Sequence, residues 1–143
     1  STRVEYGMLA LTDIALYAEN GASVSAPDIA ERQGISQKYL EQILLLLRQA
    51  GFIIAQKGLR GGYALAKPAD TISMREVLNA LDNTILADMD DDNRNDGLRS
   101  IIKNCFWKEI NKNLNQYTGE MKLSDFAGQC RNRFAGGWDN YVI

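Results

Sequence analysis

The strongest constraint on this chain is a change of hydrophobic period at Gly51. Before Gly51, apolar residues recur at three- and four-residue spacing, which is typical of an α-helix with one buried face. After it come a short β-branched run, FIIAQK, then a glycine-rich run, GLRGG, and then the alternating run YALA. Two short strands joined by turn residues form a β-hairpin. The sequence therefore predicts a helix that leads directly into a hairpin.

Three helices are predicted ahead of this hairpin. Their expected bounds are 3–18 with Thr2 as N-cap, a short helix from Ser25 to Gly34, and about 36–50 with Ser36 as N-cap. Ala30, Gly34 and Leu40 lie four and then six residues apart. A small residue, a glycine for a left-handed turn and a buried apolar residue in this order favour a helix-turn-helix, although ordinary helix pairs can imitate the spacing.

A helix-turn-helix followed by a hairpin is a winged helix, a fold that is mainly α with a small β wing. The whole chain carries a net charge of −2, but residues 36–67 hold five basic side chains and one acidic one. Phosphate contact requires such a local basic surface, which can also arise by chance. Arg60 near the wing tip and Lys57 at the strand end are expected to face DNA. The alternative is a solvated turn whose charges are incidental.

Beyond the wing, the sequence predicts a helix at 73–82 capped by Ser73 and then an acidic mobile loop at 84–97. The loop does not match the spacing of a calcium loop. A long helix at 97–117 follows, then a short helix from Ser124. The apolar face of the long helix is expected to pair with a second subunit, or else to pack within one chain. Its proposed dimerisation residues are Leu98, Ile101, Ile102, Cys105, Phe106, Ile110 and Leu114.

Composition argues against several other classes of protein. Histidine is absent, which removes the commonest general base and zinc ligand, so an enzyme is not expected. The chain has two cysteines, too few for a disulfide scaffold or a site built from cysteine alone. No apolar run approaches the ~20 residues of a membrane span. We therefore expect a cytoplasmic protein with no membrane partner and no metal or other cofactor.

Four spaced elements resemble one bacterial family. They are the Tyr39–Gln42 motif YLEQ, the Leu47–Gly51 motif LRQAG, the Gly61–Tyr63 motif GGY, and Ile72 with Val77. Together they resemble the IscR/CymR/NsrR regulators, the “Rrf-two” family of winged-helix proteins. The resemblance covers about residues 1–83 and runs more loosely to Trp107.

The resemblance implies a homodimeric transcription factor that binds double-stranded DNA. The helix at 36–42 is expected in the major groove and the 57–62 wing against the minor groove. In that position Gln42 can pair with adenine and Glu41 can accept from cytosine, while Arg48 acts as a backbone clamp or a structural ion pair. The implied DNA-binding residues are Arg3, Ser36, Gln37, Lys38, Tyr39, Glu41, Gln42, Lys57, Gly58, Arg60 and Gly61.

Many relatives sense iron or nitric oxide through a cluster held by three cysteines. This chain has Asp and Asn in the corresponding segment, and Ile101 and Asn104 at the last ligand positions. Glu5 matches a carboxylate ligand of some relatives, but one carboxylate and one thiol do not make a cluster site. Cys105 is expected to fill the dimer helix, and a redox-switch role for it or for Cys130 stays open.

The branch without cluster ligands includes repressors of cysteine metabolism, whose aromatic tail ending in isoleucine binds cysteine synthase. Here Tyr141, Val142 and Ile143 are the candidate partner-binding residues, or else they pack on the dimer partner. The leading hypothesis is a cluster-free repressor of sulfur or cysteine genes. The alternative is a regulator gated by a thiol or small ligand. The expected division is 1–83 for DNA binding, 84–97 as the acidic loop, and 98–143 for dimerisation and the tail.

Overall fold

The computed structural model describes residues 1–59, 61–87 and 97–135. The elements are α1 (Thr2–Tyr17), α2 (Ala26–Gln33), α3 (Gln37–Gln49), β1 (Ile53–Gln56), β2 (Gly62–Leu65), a 3₁₀ turn (Ala69–Thr71), α4 (Met74–Leu81), α5 (Gly97–Ile102), a π turn (Lys103–Trp107), α6 (Lys108–Glu120) and α7 (Leu123–Ala135). Helices α5 and α6 join through the π turn into one long helix. The predicted fold, mainly α with a small β wing, is confirmed.

Serine side chains begin the helices where the sequence placed them. The hydroxyls of Ser25, Ser36 and Ser73 each accept a hydrogen bond from the backbone N–H three residues on, at 3.2–3.3 Å. Such a bond satisfies a donor that the first turn of a helix leaves unpaired. One cap was predicted wrongly: Ser1, not Thr2, caps α1, because the Ser1 hydroxyl lies 3.4 Å from the Val4 amide.

The turn between α2 and α3 has the predicted helix-turn-helix chemistry. Gly34 adopts a left-handed conformation with φ of 65°, and its N–H donates to the Ala30 carbonyl. Ile29 on α2 and Leu40 on α3 are both fully buried in the core. The two helices are therefore joined by a turn that glycine adopts without strain and are fixed by apolar side chains on each.

The wing is a two-stranded antiparallel hairpin in which Ile53 pairs with Leu65 and Gln56 with Gly62. The segment before α2 adds a short third partner that the sequence did not predict. The Val24 amide donates to the Tyr63 carbonyl at 2.9 Å, and the Tyr63 amide donates to the Val24 carbonyl at 2.7 Å. The base of the wing is thus tied to the start of the helix-turn-helix.

One core holds the chain together, with buried side chains from α1, α2, α3, β1, α4 and α7. Its fully buried large residues are Leu11, Ile14, Ile29, Leu40, Ile43, Leu44, Leu47, Ile53, Ile72, Val77, Leu81 and Leu123.

Part of the segment predicted as an acidic mobile loop differs from expectation. Leu86 is buried, and its carbonyl accepts a hydrogen bond from the Asn115 amide at 3.3 Å, so the described start of that segment packs on α6. Residues 88–96 lie outside the described ranges.

Helix α7 corrects another expectation. It is not a short helix from Ser124, since it begins at Leu123 and spans 13 residues. Its start is tied to the segment before α4, because the Leu123 amide donates to the Ile72 carbonyl at 2.8 Å. The helix then packs along α1 and buries Leu123 and Ala127.

A buried ionic network joins α1 to the end of α2, and the sequence pattern did not reveal it. The Asp13 carboxylate, itself fully buried, accepts two hydrogen bonds from the Arg32 guanidinium at 2.8 and 2.9 Å and one from the Gln33 amide at 2.8 Å. The bonds to Asp13 raise the pKa of Arg32 above its ordinary value. Arg32 also lies over the Tyr17 ring at 4.4 Å. Both oxygens of the buried carboxylate therefore accept charge-assisted or amide hydrogen bonds.

Replacing this buried carboxylate should destabilise the fold far more than removing an exposed ion pair. We expect Asp13→Asn to lower the free energy of unfolding by about 3 kcal/mol, because it leaves the guanidinium without its charged partner. The matched control is Glu19→Gln, which breaks the exposed pair between Glu19, just after α1, and Arg131 of α7 and should cost less than about 1 kcal/mol. Urea unfolding at one fixed protein concentration measures both values. Equal losses in the two variants would contradict this account of the network.

Candidate DNA-binding surface and exposed long helix

Helix α3 separates its side chains into a buried face and an exposed polar face. Leu40, Ile43, Leu44 and Leu47 are fully buried. Four of the predicted DNA-binding residues lie on the exposed side: Gln37, Lys38, Glu41 and Gln42. Amide, ammonium and carboxylate groups together can donate to and accept from base edges in a major groove. Helix α3 therefore presents these four side chains to solvent, and their contact with DNA stays a prediction.

Two further predicted residues position the start of α3. The Ser36 hydroxyl is exposed and caps the helix by accepting from the Tyr39 amide at 3.3 Å. Tyr39 is half-buried, and its ring meets Tyr6 of α1 edge-to-face at 5.5 Å. These contacts hold the first turn of α3 against the first half of α1.

Arg3 is exposed on α1, one helical turn before Tyr6. It therefore lies at the end of α1 that supports the start of α3. The pKa of Asp82 is held below its usual range, chiefly by the hydrogen bonds from the Thr84 hydroxyl and amide at 2.6 and 3.0 Å and further by the charge of Arg3. Arg3 is thus an exposed cation whose charge is felt at Asp82.

The glycines of the wing are required by the backbone geometry of the hairpin itself. A Cβ on Gly62 would lie 2.4 Å from the Val24 carbonyl oxygen, and one on Gly61 would lie 2.6 Å from that of Gln56. Gly58 has φ of 119°, and the Gly61 amide closes the turn on its carbonyl at 2.9 Å. The hairpin needs these glycines for its own close backbone contacts and strained turn.

The wing also presents exposed side chains. Lys57 and Gly58 are exposed and Gly61 is half-buried, while Arg60 lies outside the described residues. Leu59, between them, is fully exposed at 109%. An apolar residue at the tip of a wing can contact the sugar edges or wedge into a minor groove, and the sequence analysis overlooked it.

A second overlooked residue is Leu45, which is 53% exposed on α3. It follows Glu41 and Gln42 by one helical turn, so it lies on the polar face. The signal was in the sequence: residues 43–47 form a run of five apolar side chains, which is wider than the face a helix can bury. An apolar side chain here can contact the methyl group of thymine.

Arg48 was expected to act as a backbone clamp or to form a structural ion pair. It is exposed and forms no ion pair among the described residues.

The long helix leaves most of its apolar face uncovered. The predicted dimerisation residues Leu98, Ile101, Ile102, Cys105, Phe106 and Leu114 are exposed, and Ile110 is half-buried. Leu98 reaches 72% exposure. Trp107, which the sequence analysis did not include, is also exposed. Such a contiguous apolar surface on a helix marks an interaction site.

The remaining sequence expectations concern a metal and the tail. The described residues contain no group of three His, Cys, Asp or Glu side chains placed to hold a metal ion. Cys105 lies on the π turn and Cys130 on α7. Tyr141, Val142 and Ile143 lie outside the described ranges, so the partner-binding tail stays a prediction.

Comparison with known proteins identifies the family. Residues 1–129 match the Rrf2 family, which is described as “Iron-dependent Transcriptional regulator”. The chain belongs to the Rrf2 family. This confirms the resemblance seen in the YLEQ, LRQAG and GGY motifs.

Relatives of this Rrf2 chain are themselves regulators. It is 34% identical over 130 residues to the HTH-type transcriptional regulator IscR of Cereibacter sphaeroides, covering 87% of this chain and 84% of the relative. Its fold is similar to CymR, the global cysteine regulator of B. subtilis, with a TM-score of 0.77, 25% identity and coverage of 90% of this chain and 95% of CymR. It is also similar to T. potens IscR, with a TM-score of 0.72, 28% identity and coverage of 91% and 86%.

The chain is therefore a DNA-binding transcriptional regulator with a winged helix and not an enzyme, in agreement with the sequence analysis. Among the described helices, none has the length and apolar character required to cross a membrane.

The close approach of Gly62 to Val24 gives a direct test of how the wing is positioned. We expect Gly62→Ala to lower the free energy of unfolding by about 2 kcal/mol or more, because the new methyl group meets a backbone carbonyl that cannot move without breaking the pairing with Tyr63. It should also weaken DNA binding by displacing the wing. Gly97→Ala is the control, since a Cβ there meets nothing within 4 Å. Chemical unfolding and a DNA-binding titration measure the two effects, and a neutral Gly62→Ala would refute the argument.

Proposed function

We propose that this Rrf2 protein is a homodimeric, sequence-specific repressor of sulfur or cysteine genes that works without an iron–sulfur cluster. The observation that carries the proposal is the pairing of two uncovered surfaces on one chain. One is the polar face of α3 with the adjoining wing, and the other is the apolar face of the long helix. The first suits DNA and the second suits another copy of the chain. The proposed division is 1–83 for DNA binding, 84–97 as an acidic connection, and 98–143 for dimerisation.

The DNA-binding mode follows from the orientation of α3. Its start carries Gln37, Lys38, Glu41 and Gln42 on the exposed side, so this end of the helix enters the major groove. Gln42 then pairs with adenine and Glu41 accepts from cytosine. The wing follows α3 through the tight turn at Gly51 and lies against the neighbouring minor groove. Lys57 and Arg60 supply phosphate contacts there.

Dimerisation explains the apolar face of the long helix. Five large exposed apolar side chains, together with the exposed Cys105, lie within residues 98–107, which α5 and the π turn contribute. A second copy covers them by two-fold symmetry, in which each subunit uses the same patch. A symmetric dimer presents two recognition helices to half-sites about 34 Å apart, one turn of the double helix.

The cluster-free state is inferred from the donor set of this chain. An iron–sulfur cluster is held mainly by cysteine thiolates. The chain has two cysteines, one on the π turn and one on α7, and no histidine. These residues do not fit a cluster. The similarity of the fold to CymR supports a role in cysteine regulation, while the equally clear similarity to IscR keeps the sensor alternative, in which a thiol or small ligand gates binding.

The contribution of basic side chains to DNA affinity can be separated from dimerisation. Lys38→Ala on α3 and Lys57→Ala on the wing should each weaken binding to any duplex, and each should reduce the slope of log affinity against log salt by about 1, because one fewer phosphate is neutralised. Lys112→Ala, an exposed lysine on α6, is the control. Fluorescence anisotropy with a labelled duplex over a salt series measures all four proteins.

The outcome that contradicts the proposed surface is specific. If Lys112→Ala changes the salt slope as much as Lys38→Ala does, the contact surface is not the face of α3. If Lys57→Ala alone has no effect, the wing does not touch the backbone.

The absence of a cluster predicts a colourless protein. Protein purified without oxygen should show no absorbance band near ~400 nm, and the spectrum should not change in a Cys105→Ser/Cys130→Ser variant, because the thiols hold no iron. Iron and sulfide assays on the same sample provide the check. Stoichiometric iron that is lost in the double variant would overturn this part of the proposal.

A further inference from the structure

Leu45 lies at the centre of the exposed face of α3. One helical turn before it are Glu41 and Gln42, and one turn after it are Arg48 and Gln49; all four are polar and exposed. Leu45 itself is 53% exposed. A single apolar side chain therefore interrupts the polar stripe that this helix presents to solvent.

Packing within the subunit does not account for a leucine at this position. The core side of α3 is formed by Leu40, Ile43, Leu44 and Leu47, all of which are fully buried. A polar residue in place of Leu45 would serve the fold equally well, since substitutions on an exposed surface change stability little. Isolated exposed leucines are ordinary on proteins, and this one is distinguished by its place on the surface proposed to bind DNA.

An isolated leucine among polar side chains suits a major groove better than a protein partner. Protein interfaces are marked by contiguous apolar patches, such as the one on the long helix, whereas Leu45 has Glu41 and Arg48 on either side. The major groove presents polar base edges and one kind of apolar group, the C5-methyl of thymine. The pattern on α3 therefore matches a single methyl group among polar base edges.

The spacing along α3 indicates which base pair Leu45 faces. A rise of about 1.5 Å per residue places Leu45 about 4.5–6 Å along the helix axis from Gln42 and Glu41. Base pairs follow one another at about 3.4 Å. With α3 lying along the major groove, Leu45 faces a base pair that is one or two steps away from those proposed for Gln42 and Glu41.

We propose that Leu45 is a specificity-determining residue that reads the C5-methyl group of a thymine, one or two base pairs from the bases contacted by Gln42 and Glu41. The inference rests on the proposed binding mode of α3 and adds a base that hydrogen bonding does not select. Against adenine or cytosine, the same side chain would exclude water from an exocyclic amino group without replacing its hydrogen bond. Leu45 thus favours thymine by contact and disfavours these two bases by desolvation.

The expected effect is modest for one methyl group and is multiplied by symmetry. Burial of one methyl-sized group changes affinity about fourfold. A homodimer on a two-fold symmetric site makes the contact twice, so loss of the methyl group from both half-sites changes affinity about fifteenfold.

Replacing thymine with deoxyuridine tests the inference directly, because it removes the C5-methyl group and keeps the hydrogen-bonding edge. The probe is a duplex selected from a random library by the wild-type full chain, and each thymine in it is replaced in turn. We expect one position in each half-site at which deoxyuridine weakens wild-type binding about fourfold. In Leu45→Ala that loss should disappear, which fluorescence anisotropy measures as a double-mutant cycle.

Two further variants separate base reading from a general loss of affinity. Leu59→Ala, at the exposed wing tip, should retain the fourfold loss at that thymine whatever its effect on overall affinity. Leu45→Met keeps an apolar side chain and should retain most of the loss. Urea unfolding of Leu45→Ala should match the wild type, because the side chain is exposed.

Two failures of this experiment have different meanings. Persistence of the loss in Leu45→Ala, or a wild-type protein indifferent to deoxyuridine at every thymine of the selected duplex, would overturn the inference and leave the proposed DNA-binding function intact. A wild-type protein that enriches no sequence from the library would defeat sequence-specific binding itself, and the inference with it.

Discussion

Four buried side chains of α3 determine where every proposed base contact points. Leu40, Ile43, Leu44 and Leu47 hold one face of the helix in the core, so the opposite face must point to solvent. Burying side chains of this size contributes about 1.5–3 kcal/mol each, so the four together are comparable with the net stability of about 5–15 kcal/mol that a typical domain has. The polar face is therefore positioned by the most stable part of the molecule. Side chains on the polar face can therefore contribute to DNA affinity without having to stabilise the fold.

Local chemistry predicted the parts of the fold that depend on neighbours in sequence. The serine caps at Ser25, Ser36 and Ser73, the left-handed Gly34 and the hairpin after Gly51 all follow from a few adjacent residues. Features that join distant segments were missed. Asp13 and Arg32 are 19 residues apart, and no periodicity signals that they meet. The pairing of Val24 with Tyr63 and the packing of α7 on α1 were not predicted, for the same reason.

The candidate site shows the same division between local and distant information. The resemblance to the family, rather than helical spacing, singled out Gln37, Lys38, Glu41 and Gln42, and all four are exposed in the structure. Neither the resemblance nor the helical spacing assigned a role to Leu45, and neither revealed the π turn that contains Phe106 and Trp107. A π turn depends on one extra residue within a helix, which a pattern of apolar and polar residues does not encode. The glycines of the wing were found, but their contacts with Val24 and Gln56 required coordinates.

Helix α1 links the DNA-binding surface to the long helix. It supports the start of α3 through Tyr6 and Tyr39, carries Asp13 toward α2, and packs on α4 and α7. Helix α4 in turn packs on α6, the second half of the long helix. In the proposed dimer, the apolar face of the long helix joins the two subunits, so the distance between the two recognition helices depends on the contacts that run from α3 through α1 and α4 to α6. The spacing of the half-sites is therefore set by packing within each subunit as well as by the contact between the subunits.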